Sequence, residues 1–162
     1  MSNINSEPII LGIDPGYDRL GWAIGRGLNQ TPQILAYGCL QTKSGDDLAQ
    51  RYMSLEKQLT KILEKWQPTQ LAIEALFFSK NKTTALKVSE SRGVVLSCCA
   101  RHGLKIFEYH PNQIKLAAAG HGHADKRAVE KMVRLQLKLK DEKIIDDAID
   151  ALAIVLTHAV SH

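Results

Sequence analysis

Ile9-Ile10-Leu11-Gly12-Ile13-Asp14-Pro15-Gly16 is an apolar run cut off by an acid-proline-glycine turn. Too short for a helix, it reads as a buried β-strand with Asp14 at its C-terminal end. Working outward, residues 20–25 and 33–42 read as two more strands split by a turn over 27–32, so the chain opens as an antiparallel meander. Residues 46–66 then carry Leu48, Tyr52, Leu55, Leu59, Ile62 and Leu63 at helical spacing, with Asp46 or Asp47 as cap and Pro68 as stop. A short strand over 71–74 ends on a second acid, Glu74. A long helix is predicted over 81–101, apolar at Leu86, Val88, Val94, Val95 and Cys98 and weakened by Gly93. Residues 105–109 make a fifth strand, and Pro111 opens a short helix to Ala119. Gly120-His121-Gly122-His123 breaks the chain before two last helices over 125–139 and 146–158. The order β-β-β-α-β-α-β-α-α-α gives an α/β fold. Its five-stranded mixed sheet, three antiparallel strands then two parallel, is flanked by helices.

The 162 residues fit one domain spanning 1–162, with residues 1–8 as a disordered or extended tail. A composition of 44% apolar and 23% charged residues excludes a disordered or fibrous chain. No apolar stretch reaches the roughly 18–20 residues of a membrane helix, and the polar start lacks the regions of a signal peptide. Three cysteines, Cys39, Cys98 and Cys99, have the spacing of neither a disulfide framework nor a zinc site. A chain working in the reducing cytoplasm is expected. The net charge of +4 is unevenly spread: from Phe77 to Lys140, 13 Lys and Arg face 4 acids, while the remainder has 8 bases and 13 acids. A basic central half beside acidic ends suits a polyanion held on one surface, with carboxylates gathered elsewhere.

Carboxylates at the C-terminal ends of strands lie where α/β sheets bind their ligands. A third acidic group sits in Asp146-Asp147-Ala148-Ile149-Asp150. Residues three or four apart share a helix face, so Asp147 and Asp150, or Asp146 and Asp150, project together. The surrounding Ala and Ile place this helix on the sheet and press Asp150 toward the core. Carboxylates crowded in a dry site hold protons or bind cations. Oxygen donors alone favour magnesium or manganese over zinc.

Ile10-Leu11-Gly12-Ile13-Asp14-Pro15-Gly16 with Gly21 resembles the opening motif of the RuvC-type Holliday-junction resolvases. The same holds for Ala72-Ile73-Glu74, for Phe77-Phe78-Ser79-Lys80-Asn81 with Ala85-Leu86-Lys87, and for Arg92-Gly93-Val94. Gly120-x-Gly122-x-Ala124-Asp125-Lys126 and Asp147-Ala148-x-Asp150-Ala151-Leu152-Ala153-Ile154 before Thr157-His158 complete the match. These blocks, in order, cover almost the whole chain. The resemblance implies a ribonuclease H-like fold and a homodimeric, metal-dependent endonuclease for four-way DNA junctions. Its catalytic and metal-binding acids would be Asp14, Glu74, Asp147 and Asp150, the family's D-A-x-D pattern choosing Asp147. Asp146 is then a helix cap or a supporting charge. The chemistry implied is phosphodiester hydrolysis by two Mg2+ ions, with Mn2+ as substitute, leaving a 5′-phosphate and a 3′-hydroxyl. A two-fold dimer would present one site to each of two opposed strands. Branch-migration proteins are partners only by this resemblance.

The resemblance also makes Phe77 a residue that stacks on or wedges between bases at the crossover, with one of Phe77 and Phe78 exposed and the other in the core. Gly120, Gly122 and Lys126 form a small-residue loop running into a helix, suited to a phosphate oxygen. Lys115 matches a further basic position, while Lys80, Lys82, Lys87 and Arg92 would lie on the DNA side. His121 and His123 read as exposed histidines and His158 as structural. The small residues Ser89, Ser91, Gly93 and Ser97 make the 81–101 helix the expected dimer element. Two other functions compete: a branched-DNA-binding protein that does not cut, and a related nuclease acting on RNA. An ATPase of similar opening motif needs a second lobe that 162 residues do not supply.

Overall fold

The computed structural model describes residues 7–76 and 82–162, the side chain of Lys82 excepted. The opening apolar run forms β1 (Ile9–Asp14), which pairs antiparallel with β2 (Arg19–Arg26), itself antiparallel to β3 (Gln33–Gln41). After α1 (Leu48–Trp66) the chain returns as β4 (Gln70–Glu74), parallel to β1. Then α2 (Lys82–Arg101) leads to β5 (Lys105–Tyr109), parallel to β4. The sheet order is β3-β2-β1-β4-β5. The helices α3 (Pro111–Ala119), α4 (Lys126–Gln136) and α5 (Asp146–Ser161) follow. Both the expected meander and the two parallel strands are present. Among the described residues no helix is long and apolar enough to cross a membrane.

Strand side chains alternate between faces, and each face has its own core. Leu11, Ile13, Leu20, Ile24, Leu71 and Ile73 are buried with Leu55, Leu59, Ile62 and Leu63 of α1 and Val95, Cys98 and Cys99 of α2. Ile10, Ala23, Ala72 and Tyr109 are buried on the opposite face with Ala148, Ile149, Ala151, Leu152 and Val155 of α5. Here α5 lies unusually near the strands. A Cβ on Gly21 would stand 1.7 Å from the carbonyl oxygen of Asp147, and one on Gly12 only 2.7 Å from that of Ala151. Only glycine lets the helix backbone approach so closely.

Helix ends follow from named residues. Asp47 caps α1, its Oδ1 accepting the Gln50 N–H at 2.8 Å, and Gln67 ends the helix in a left-handed conformation just before Pro68. Asp125 caps α4 by accepting the Ala128 N–H at 2.8 Å. Most bounds fall within two residues of the sequence reading, and two helix C-termini differ by three. α4 stops at Gln136 rather than 139, because Lys138 takes a positive φ of 51°. Past His158, α5 continues to Ser161. Asp146 is not the cap of α5: Ile145 holds that position, and Asp146 is the first helical residue, paired with Lys126 at 3.3 Å. Of the two roles expected for Asp146, the structure excludes the cap.

At the far end of α5, His158 is fully buried. Its Nδ1 lies 2.6 Å from the Tyr109 hydroxyl and its Nε2 2.7 Å from Gln70 Oε1. A neutral ring protonated on Nε2 satisfies both partners. Burial, with His162 adding to it, pulls the His158 pKa down to about 4. The residue anchors α5 to β4 and β5.

Candidate active site

Asp14 ends β1 and Glu74 ends β4. Parallel pairing matches Ile13 with Ile73, so the two acids follow side by side, on the α5 face by alternation. Asp14 also stands opposite Gly21, the residue on which the Asp147 backbone rests. The glycine that admits α5 therefore also brings the D-A-x-D segment to the end of β1. One helical turn along, Asp150 joins Asp14 and Glu74 in lining a cavity of about 290 Å³. Lys115 of α3, Lys126 of α4, Pro111, Ile114 and Ala153 complete much of its wall.

Crowding shows in the electrostatics. Burial first, then the charges of Asp150, Glu74 and Asp147, lift the Asp14 pKa to about 8. Glu74 is raised by burial and by Asp150, with Lys115 opposing. Asp150 is raised by burial, although Lys126 pulls it back. Burial works against the Lys126 ammonium, but Asp150 and Asp146 more than reverse this and raise its pKa. The Lys126 Nζ is 3.6 Å from Asp150 Oδ2. Asp147 lies 3.3 Å from the Arg19 guanidinium Nε through Oδ2, within ion-pair range but out of hydrogen-bond alignment. Among the described residues that oxygen is the one buried side-chain polar atom with no hydrogen bond.

A carboxylate oxygen without a hydrogen bond, three acids raised by burial first and by one another's charge second, and an all-oxygen donor set fit a divalent cation. No group of three or more His, Cys, Asp or Glu among the described residues is already arranged as a metal cage.

The remaining expected site residues are spread more widely. Gly120 ends α3 with φ 83°, and Gly122 is half-buried near Asn112. His121 and His123 are exposed. The Lys87 ammonium lies 5.1 Å from the centroid of the Tyr17 ring. Arg92 is committed to the fold, donating to the Glu74 carbonyl at 3.3 Å and to Glu108 at 2.6 Å. Phe77, Phe78 and Lys80 lie outside the described residues, as does the Lys82 side chain. Asp150 sits at the cavity wall, its side chain 37% exposed, rather than pressed into the core. Ser91 is buried and donates to the Gly16 carbonyl at 2.9 Å, so it faces this chain's own interior, whereas Gly93 is exposed.

Sequence reasoning overlooked Arg19. The signal was there: Arg19-x-Gly21-x-Ala23-x-Gly25 alternates, placing Arg19 on the face whose small residues admit α5.

The geometry agrees with what the chain resembles. The family model for crossover junction endodeoxyribonuclease RuvC matches residues 10–158. A crossover junction endodeoxyribonuclease RuvC from Chloroflexus aggregans is 43% identical over 149 residues, 92% of this chain and 91% of the relative. The one from Rubrobacter xylanophilus is 40% identical over 162 residues, covering 100% and 90%. The solved structure of T. thermophilus RuvC in complex with Holliday junction substrate superposes with a TM-score of 0.88 at 33% identity, covering 95% of this chain and 94% of that one. The yeast mitochondrial Holliday junction resolvase Ydc2, at 14% identity and a TM-score of 0.68, shares the fold. The chain therefore belongs to the RuvC family of crossover junction endodeoxyribonucleases.

Proposed function

We propose that this chain, as a homodimer of single-domain subunits, resolves four-way DNA junctions. Each subunit hydrolyses one phosphodiester at Asp14, Glu74, Asp147 and Asp150. The observation that carries this reading is the cavity joining Asp14, Glu74 and Asp150 between two lysines, with the Asp14 pKa raised to about 8 by burial and by the three other acids. Such a charge density is unfavourable unless cations offset it. Asp14, Glu74, Asp147 and Asp150 would hold two divalent ions, Mg2+ or in its place Mn2+, which would supply a more acidic water and an offset for negative charge on the leaving 3′ oxygen.

The chain's own residues do the rest. The strand-end pair, Asp14 and Glu74, is fixed by the sheet, and the helix pair, Asp147 and Asp150, by the contact of α5 on Gly21, so the four donors approach from two rigid elements. Lys115 and Lys126 at the cavity wall offer ammonium groups to the non-bridging phosphate oxygens. Gly120 and Gly122 lie between α3 and α4 as a backbone rest for the phosphate chain, and Lys87 adds charge along α2. Phe77, Lys80 and Lys82, from the basic part of the sequence, are assigned to junction contact on the family resemblance alone. Scission that leaves 5′-phosphate and 3′-hydroxyl ends gives nicks that ligase can seal.

The test is junction cleavage in Mg2+ by wild type and Asp14→Asn. Paired nicks in opposed strands from wild type and none from the variant, at similar junction affinity, are expected. Binding without cleavage by wild type would overturn the reading.

A further inference from the structure

Asp147 has a cationic side chain beside it. Its Oδ2 faces Arg19, and the two side chains differ in exposure, 20% for Asp147 and 53% for Arg19. The guanidinium never loses its charge. Its hold on Asp147 is nevertheless loose: Nε is 3.3 Å away and not aligned to donate. Other arginines of this chain are pinned more firmly. Arg51 is buried and donates to Thr42, to the Tyr17 carbonyl and to Asp18, and Arg92 donates to Glu74 and Glu108. Among the described residues, Arg19 makes a single ion pair, from a half-exposed position at the rim of the site.

Strand and helix together produce this pairing. Arg19 precedes Gly21 by two residues on β2, so both face α5, and the Asp147 backbone rests on Gly21. A cation bound to Asp147 Oδ2 would stand within a few ångströms of the guanidinium, where two positive groups repel strongly.

We propose that Arg19 is a positioning residue that holds Asp147 in place of a divalent cation and must be displaced when the cation binds. The inference rests on the reading of Asp147 as a cation ligand. It gives the DNA-free protein a reduced cation affinity and frees a guanidinium at the rim once the ion is in place.

The experiment is Mn2+ titration of the full chain without DNA, by calorimetry and by electron paramagnetic resonance of free Mn2+. Wild type is compared with Arg19→Gln, Arg19→Lys, Asp147→Asn and the Arg19→Gln/Asp147→Asn double variant, with thermal melts to confirm folding. Arg19→Gln is expected to bind Mn2+ about tenfold more tightly, from loss of one nearby charge partly screened by solvent. Arg19→Lys, which keeps the charge, stays near wild type. In the Asp147→Asn background the effect of Arg19→Gln falls below about twofold. Unchanged or weaker binding by Arg19→Gln, or an equal gain in the Asp147→Asn background, would overturn the proposal. If Asp147→Asn alone binds Mn2+ as wild type does, the ligand reading beneath it fails instead.

Discussion

On one face of the sheet the strands present Leu11, Ile13, Leu20, Ile24, Leu71 and Ile73; on the other they present Gly12, Asp14, Gly21, Ala23, Ala72 and Glu74. The first set fills space between sheet and helices and owes its stabilisation to apolar burial. The second leaves space, which α5 occupies so closely that its backbone touches β1 and β2. Carboxylates at the end of this face then meet carboxylates from the helix. One face keeps the sheet rigid. The other uses that rigidity to hold together charges that repel.

Substitutions on the two faces should therefore fail differently. The largest effect is expected from Asp150→Asn: cleavage falls by roughly a thousandfold, the several kcal/mol of transition-state stabilisation that a metal-bound carboxylate supports. Junction affinity and melting temperature stay close to wild type. Normal cutting by this variant would remove α5 from the site.

Next, Leu71→Ala and Gly21→Ala separate the faces. Leu71→Ala opens a cavity under α1 and α2 and should destabilise the fold by about 2–5 kcal/mol, with cleavage retained at low temperature. Gly21→Ala drives a methyl group into the Asp147 carbonyl, a backbone atom that yields only if α5 shifts, and should cut cleavage by about a hundredfold through misplacement of Asp147, with a stability loss of about 3 kcal/mol or more. Denaturant melts and junction cleavage on both variants decide this. A fully active Gly21→Ala protein would mean that the close approach is not what places Asp147.

A third expectation concerns the anchoring of α5 by His158. Its folded pKa of about 4 is below the ordinary value of 6.5, so between these values the unfolded chain binds the extra proton. Stability is fully present above pH 6.5, falls as pH drops toward 4, and levels off below it, by about 3 kcal/mol at most. His158→Gln should flatten this part of the stability profile. The smallest effect is expected from Lys115→Ala: junction binding weakens, and the slope of log affinity against log salt becomes shallower by about 1.

Much of this was legible before any coordinates. The apolar run before Asp14-Pro15-Gly16 fixed β1 because a charged turn can end a buried strand but not continue it. For β5 and α3 the predicted bounds match those observed, Pro111 marking the start of α3. Where α4 ends was not legible: Leu137 and Leu139 extend the apolar pattern while Lys138 has already left the helical conformation. Nor could helix geometry choose between Asp146 and Asp147. The choice depends on how α5 is rotated against the sheet, which the contact at Gly21 sets from 126 positions earlier in the chain. Asp146 instead turns to Lys126, and Asp147 to Arg19, pairings that are local in space and remote in sequence.

Anomalous diffraction from crystals grown with Mn2+ tests the central claim most directly, that the ends of two strands and the start of α5 make one cation site. Manganese is expected in the cavity, bound by Asp14 and at least one of Asp147 and Asp150. Manganese held by the strand acids with both helix acids turned away, or bound only elsewhere on the protein, would contradict it.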